Sequence, residues 1–156
     1  MATADDFYGL LVPLHQERLV IPRGCVAEVL PWHNPTPMVG APPWYLGSVQ
    51  WDTRVVPLIT FEAVLGQPRP HPSARTRVVV IRCLGTLLSA RHFAVMAQGF
   101  PQLVHLTAET VTTDGRRSFP DWSPVLTAIQ ILNEAALIPD LDYLERLIAD
   151  ETSSLA

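Results

Sequence analysis

The side chains of this chain best suited to chemistry are five histidines, two cysteines and 15 carboxylates. Imidazole, thiolate and carboxylate groups hold a metal when they recur at short fixed spacings along one element. His15, His33, His71, His92 and His105 are scattered, with no two at i, i+2 or i+4. No zinc pattern results, and no metal is expected. His92 reads as half-buried structure in a strand and His71 as a solvated residue among prolines. Nucleophilic catalysis asks for a serine or cysteine on a tight turn beside a base. No G-x-S-x-G is present, and "GCVAE" around Cys25 matches no cysteine-nucleophile signature. The eight glycines stand singly, and neither GxGxxG nor GxxxxGK occurs, so nothing cradles a phosphate. A carboxylate pair assembled from distant positions stays open, although Asp5-Asp6 reads as a frayed terminus. The expectation is a non-enzyme with no catalytic residue and no cofactor.

Charge narrows the partners. Net charge is −4, and the basic residues are 11 arginines with no lysine, spread along the chain. A nucleic-acid or anionic-membrane surface needs the opposite balance, clustered on one face. "MATADDFYGL" has acids where a secretory signal has bases. The two longest uncharged runs are broken by proline, histidine and Gly-Phe-Pro. Neither is a continuous apolar span of about 20 residues. A cytoplasmic protein with no membrane insertion is expected, and Cys25 and Cys83 then read as two buried free thiols.

The elements that must position any site are mostly strands. "YGLLVPLHQERLVIP" alternates, breaks at "HQER" and resumes, a hairpin with strands near 8–14 and 18–22. "CVAEVL" is either one helical turn or a strand. "PWHNPTPMVGAPPW" carries five prolines in 14 residues and is a loop. In "GSVQWDTRVVPLITFEAVLG", residues 47–66, Val49, Trp51, Thr53 and Val55 share one face of an extended chain. That stretch is one long strand or two strands turning at Asp52-Thr53. Phe61, Val64 and Leu65 then suit one helical turn stopped by Gly66. The proline-rich segment 67–76 reads as a hinge between two units. "RVVVIRCL" and "LLSARHFAVMA" flank Gly85-Thr86 as a second hairpin, and "QLVHLTAETVTT" holds one or two strands. "DGRR" is a turn and "SPVLTAIQIL" a further strand. A helix over about 140–150 closes the chain, with Asp142 and Glu145 at capping-box spacing. Eight to ten short strands plus a helix imply small, nearly closed barrels that hide their edges.

What remains is apolar surplus. The chain is 48% hydrophobic and 17% charged, with four tryptophans. Exposed apolar surface on a small domain points to a protein partner. Trp32, Trp44 and Trp51 surround the proline loop and either fill a core between two barrels or reach an interface.

The order of these motifs resembles the CheW family, coupling proteins of bacterial chemosensory arrays, from about residue 8 to residue 148. The resemblance rests on three stretches. "YGLLVPLHQERLVIPRGCVAEVL" is similar to that family's first hairpin and V-x-E-I segment. "APPWYLGSVQWDTRVVPLITFEAVLG" is similar to its P-x-A-P-x-Y-x-x-G-v-x-N-x-R-G-x-v-x-P-v-x-D-l-x-x-x-l-G stretch. "TRVVVIRCLGTLLSARHFAVMAQGFPQLVHL" is similar to its second-barrel strands. The resemblance implies a mainly β fold of two SH3-like five-stranded barrels around a shared core with a C-terminal helix, in a single domain over 1–156. It implies no active site, and partners in a CheA-type histidine kinase regulatory domain and a methyl-accepting chemoreceptor. Val26 and Glu28 fall on the V-x-E-I positions, and Gly47 on the glycine before the R-G hairpin. With Val29 and Val49 they are the candidate partner-binding residues, the valines lining an apolar strip for a receptor helix tip.

The departure from the family lies at Gln50-Trp51-Asp52-Thr53, where N-x-R-G is expected. Asp52 tolerates a left-handed turn better than threonine, so the turn shifts by one residue. Asp52 then faces Glu28, like against like, and Arg54 is the expected replacement partner for Glu28. Asp52 and Arg54 therefore join the candidate site, and an altered coupling face is expected. Accessory CheW-like proteins of type IV pilus (twitching) systems are the variants to compare first. The alternatives are a module outside the array that binds a response regulator or motility protein, and a small-molecule-binding barrel or cryptic enzyme.

Overall fold

The computed structural model describes residues 7–155. Asp5-Asp6, read above as a frayed end, lies outside them. Strands β1 (Tyr8–Pro13) and β2 (Arg18–Pro22) form the first hairpin, and a 3-10 turn (Arg23–Cys25) leads into β3 (Val26–Pro31). Thus "CVAEVL" is a strand entered by a single turn. After the proline loop come β4 (Tyr45–Trp51), β5 (Arg54–Ile59) and the short helix α1 (Phe61–Val64). Then come β6 (Arg77–Arg82), β7 (His92–Ala97), β8 (Gln102–His105), β9 (Val111–Thr113), β10 (Val125–Ile131), β11 (Glu134–Pro139) and α2 (Leu141–Leu155). Eleven strands exceed the expected eight to ten. No helix among the described residues is long and apolar enough to cross a membrane.

The strands make two sheets, β8-β1-β2-β11-β10-β9 and β3-β6-β7-β5-β4. "RVVVIR" shows why they stay together. Its Val78 and Val80 point into a cluster with Val49, Val56, Leu58 and Ala94, inside the second sheet's curl. Its Val79 and Ile81 point the other way, into a larger cluster with Val12, Leu19 and Ile21 of the first sheet and Leu144 and Ile148 of α2. A strand apolar on both faces must be covered on both, and alternation sends its residues to two different cores. The first hairpin does the same, giving Leu11 and Val20 to the first sheet's own cluster and Val12 and Leu19 to the shared one. The result is two barrel-like subdomains clasped around one core.

Four expectations are corrected. Segment 67–76 is not where the chain changes subdomain. It joins α1 to β6, and β5 and β6 belong to one sheet, so the changeovers fall at the 3-10 turn and at residues 98–101. Proline density reports missing ladder donors, not a boundary between sheets. The second hairpin turns over Cys83–Arg91, wider than Gly85-Thr86, with Cys83 N–H donating to Arg91 O at 2.9 Å. Strand β11 was not expected. It pairs with β10 through Leu132 and Asn133 at φ 49° and 67°, the two left-handed residues of a type I′ turn. The last helix is capped by Asp140, whose Oδ1 accepts from Tyr143 N–H at 3.0 Å. Asp142 instead pairs with Arg146 one turn on.

Glu145, assigned to the cap by its spacing, is fully buried. It accepts Gly85 N–H at 2.8 Å and Leu87 N–H at 3.0 Å, tying the β6–β7 loop to α2. A second buried carboxylate, Glu62, is 1% exposed. It accepts from His15 N–H (3.1 Å), Thr60 Oγ1–H (3.0 Å) and Gln98 Nε2–H (3.3 Å). Those donors lie in the β1–β2 turn, before α1 and after β7, so one carboxylate fastens one subdomain to the other. Cys25 and Cys83 are free and half-buried. Burial, reinforced by nearby Glu145, pushes the Cys83 thiol up to about 12.

Candidate docking face

The face begins with the edges of the second sheet. β3 and β4 stand at its two ends, with no further strand beyond either and a single bridge from the proline loop on the outer side of β4. The sheet curls until side chains from the two edges meet: Trp51 Nε1–H of β4 donates to Glu28 Oε1 of β3 at 3.1 Å. Trp51 closes the inward-facing row of β4 and is only half-buried, so its indole N–H needs a partner at the rim. Glu28 supplies it.

Asp52 and Thr53 make the turn between β4 and β5, with Trp51 paired to Arg54. Asp52 alone of the two takes a left-handed φ, 54°. The two-strand reading of this stretch holds, as does the placement of the turn on Asp52. The expected Glu28–Arg54 pair does not form. Arg54 extends the other way, its NH1 3.0 Å from His92 Nδ1 and its guanidinium 5.7 Å from the centre of the Trp51 ring. His92 Nδ1 also lies 3.0 Å from the Ala90 carbonyl oxygen, so this ring nitrogen sits between a donor and an acceptor. The His92 ring packs on Trp51 at 4.7 Å between centres. Glu28, Trp51, Arg54 and His92 thus form one chain of contacts, with the indole between the two charges.

The remaining candidates separate. Val26 and Val29 are half-buried on β3, and Val26 packs against the shared core. Val49 is 2% exposed inside the second subdomain and offers no partner surface, so the expected apolar strip loses its β4 member. Gly47 is buried at φ 135°, where a Cβ would sit 2.2 Å from the carbonyl oxygen of Thr36. That approach lets Thr36 and Ser48 exchange backbone hydrogen bonds of 2.8 and 2.9 Å, pinning the proline loop to β4. Gly47 builds the face without belonging to it.

Sequence reasoning missed Trp32 and His92 as neighbours of this site. Trp32, with Leu30, Pro31 and His33, lines one wall of an open cleft of about 520 Å³, and Gln50, Trp51 and Asp52 line the other. An indole at the very end of a strand, needing an acceptor at the rim, was the available signal for the Trp51–Glu28 contact. Nothing in the sequence brings His92 to it. Trp44 packs on the shared core, whereas Trp32 and Trp51 pack on the second subdomain's cluster with their rims at the cleft. Trp44 therefore follows the core reading, while Trp32 and Trp51 keep part of their rings at the surface.

The perturbed titratable groups lie elsewhere: Cys83, Asp114, held below its usual range mainly by a hydrogen bond from Arg116, and Arg117, held up by Glu17. Among the described residues no three His, Cys, Asp or Glu side chains converge as metal ligands.

A family model described as a CheW-like domain matches residues 8–148. Among solved structures, the scaffolding protein TtCheW from Thermoanaerobacter tengcongensis superposes with a TM-score of 0.73 at 14% identity, over 88% of this chain and 91% of that chain. At that identity the likeness is one of fold. No curated protein matches the chain.

Proposed function

The chain belongs to the CheW-like domain family, and from that premise we propose that it is a non-catalytic adaptor coupling a CheA-type histidine kinase to a methyl-accepting chemoreceptor. The observation that carries the reading is the rim of the second subdomain. There an acid, a half-buried indole, a base and an imidazole form one chain of contacts, Glu28 and Trp51 on the edge strands and Arg54 and His92 on β5 and β7 beside them. Such a rim has the aromatic and arginine content of a protein interface. Val26, Glu28, Val29, Asp52 and Arg54 are its proposed contacts, in the cytoplasm. Asp52 in place of the family's arginine favours an altered coupling face, and a twitching-motility pathway is the proposed setting.

Co-purification with the regulatory domain of the cognate kinase tests the reading. A stable complex, lost when the rim is substituted, supports it. Capture of a response regulator or motility protein with no kinase binding favours a module outside the array.

A further inference from the structure

We propose that the cleft between β3 and β4 receives the guanidinium of an arginine side chain from a protein partner. The inference deepens the adaptor reading and rests on it only for who supplies the arginine.

Two carboxylates reach the cleft, and both have capacity to spare. Glu28 uses Oε1 for the Trp51 indole, and no donor reaches its Oε2 among the described residues. Asp52 is exposed at the turn and has no hydrogen-bond or ion-pair partner there. No described ion pair includes either residue. The neighbouring cation, Arg54, is held on His92 and the Trp51 ring. The opening is thus lined by two acids, and no arginine lines it among the described residues.

Its walls fit the rest of an arginine. Both indole N–H groups are already engaged, Trp32 with Asn34 Oδ1 at 3.3 Å and Trp51 with Glu28. The Trp51 ring already carries His92 and Arg54, so Trp32 is the indole with ring surface to offer, and Leu30 and Pro31 add an apolar wall for a methylene stem. A planar, weakly hydrated cation that stacks on indole and bonds carboxylate in two places matches that combination better than an ammonium. A bare metal ion does not, because among the described residues no third metal-ligating side chain converges with the two acids.

The test is a titration of the intact protein with N-acetyl-argininamide, followed by the four indole N–H resonances. The expected result is saturable shifts of the Trp32 and Trp51 signals, with Trp44 and Trp122 unmoved. N-acetyl-citrullinamide, its neutral isostere, should leave all four in place. D52N should weaken the effect by roughly threefold, as loss of one exposed charge pair allows. Shifts produced equally by citrulline, movement of all four indoles together, or no movement at all would overturn the proposal. The kinase co-purification is scored separately. Argininamide binding without kinase binding leaves the cleft assignment standing and removes the adaptor reading; the reverse result does the opposite.

Discussion

Arg54 and Cys83 show how differently two polar side chains are used. Arg54 touches only the surface of the fold, through His92 and the Trp51 ring. R54E is therefore expected to weaken kinase co-purification roughly fivefold or more, since rim charges set orientation and encounter. Its melting temperature should stay within about 2 °C of the parent, as surface substitutions usually do. A large fall in stability would make Arg54 a structural residue. Cys83 is half-buried at the start of the β6–β7 loop. Its thiol, raised to about 12 by burial and by Glu145, is the protonated form at pH 8. Only the thiolate attacks a disulfide reagent, so labelling of Cys83 at pH 8 should run roughly a hundredfold or more slower than for an ordinary thiol of pKa about 8.5. The rate should climb as pH rises toward 12. Fast labelling at pH 8 would show that the loop over Cys83 opens. At this scale the sequence was half legible. It placed Asp52 on the turn, but it gave Arg54 to Glu28, because strand alternation says which face a residue takes and not where a long side chain ends.

Between residue and fold, the decisive element is the β4 strand with the proline loop pinned along it. Gly47 permits that pinning through a positive φ and the absence of a Cβ. G47A is expected to cost about 3–4 kcal/mol, read from the urea midpoint, by adding left-handed strain to a clash with backbone. If the variant unfolds at the parental midpoint, the Thr36–Ser48 bridge is dispensable. The strands with strong alternation were legible, and so was the turn of α1, stopped by Gly66 at φ 88°. Strand β11 was not, because Leu132 opens its turn where the commonest turn residues are asparagine, aspartate or glycine. Glu145 misled for a related reason. Its spacing from Asp142 fits a cap, while its place on the buried side of α2 sends it to the loop before His92. A spacing rule cannot see which face of a helix has a neighbour needing acceptors.

For the molecule as a whole, Glu62 is the clearest hold between the subdomains. E62A would leave three donors without their acceptor, and each one that water from the adjoining cleft does not reach costs about 1–3 kcal/mol. Some will rearrange, so a loss of about 2–4 kcal/mol is expected, with hydrogen exchange accelerating first in the β1–β2 turn and around Gln98. Unchanged exchange at both places would mean that the shared apolar core alone sets the arrangement. The two-barrel plan was readable from strand count and motif order. Its division was not, since strands adjacent in sequence were assumed to share a sheet across unbroken stretches and to part at the prolines.

The division observed has a further consequence during synthesis. The first subdomain draws on both ends of the chain, β1 and β2 early and β8 to β11 late, whereas the second is one unbroken run from β3 to β7. On the ribosome, the middle of the polypeptide has all its ladder partners while the opening hairpin still lacks β8 and β11 on its two sides. That hairpin waits with a bare greasy side until the last third is translated. Chains cut short after about residue 100 should therefore be sticky rather than merely incomplete, a nearly whole barrel trailing an orphaned ribbon.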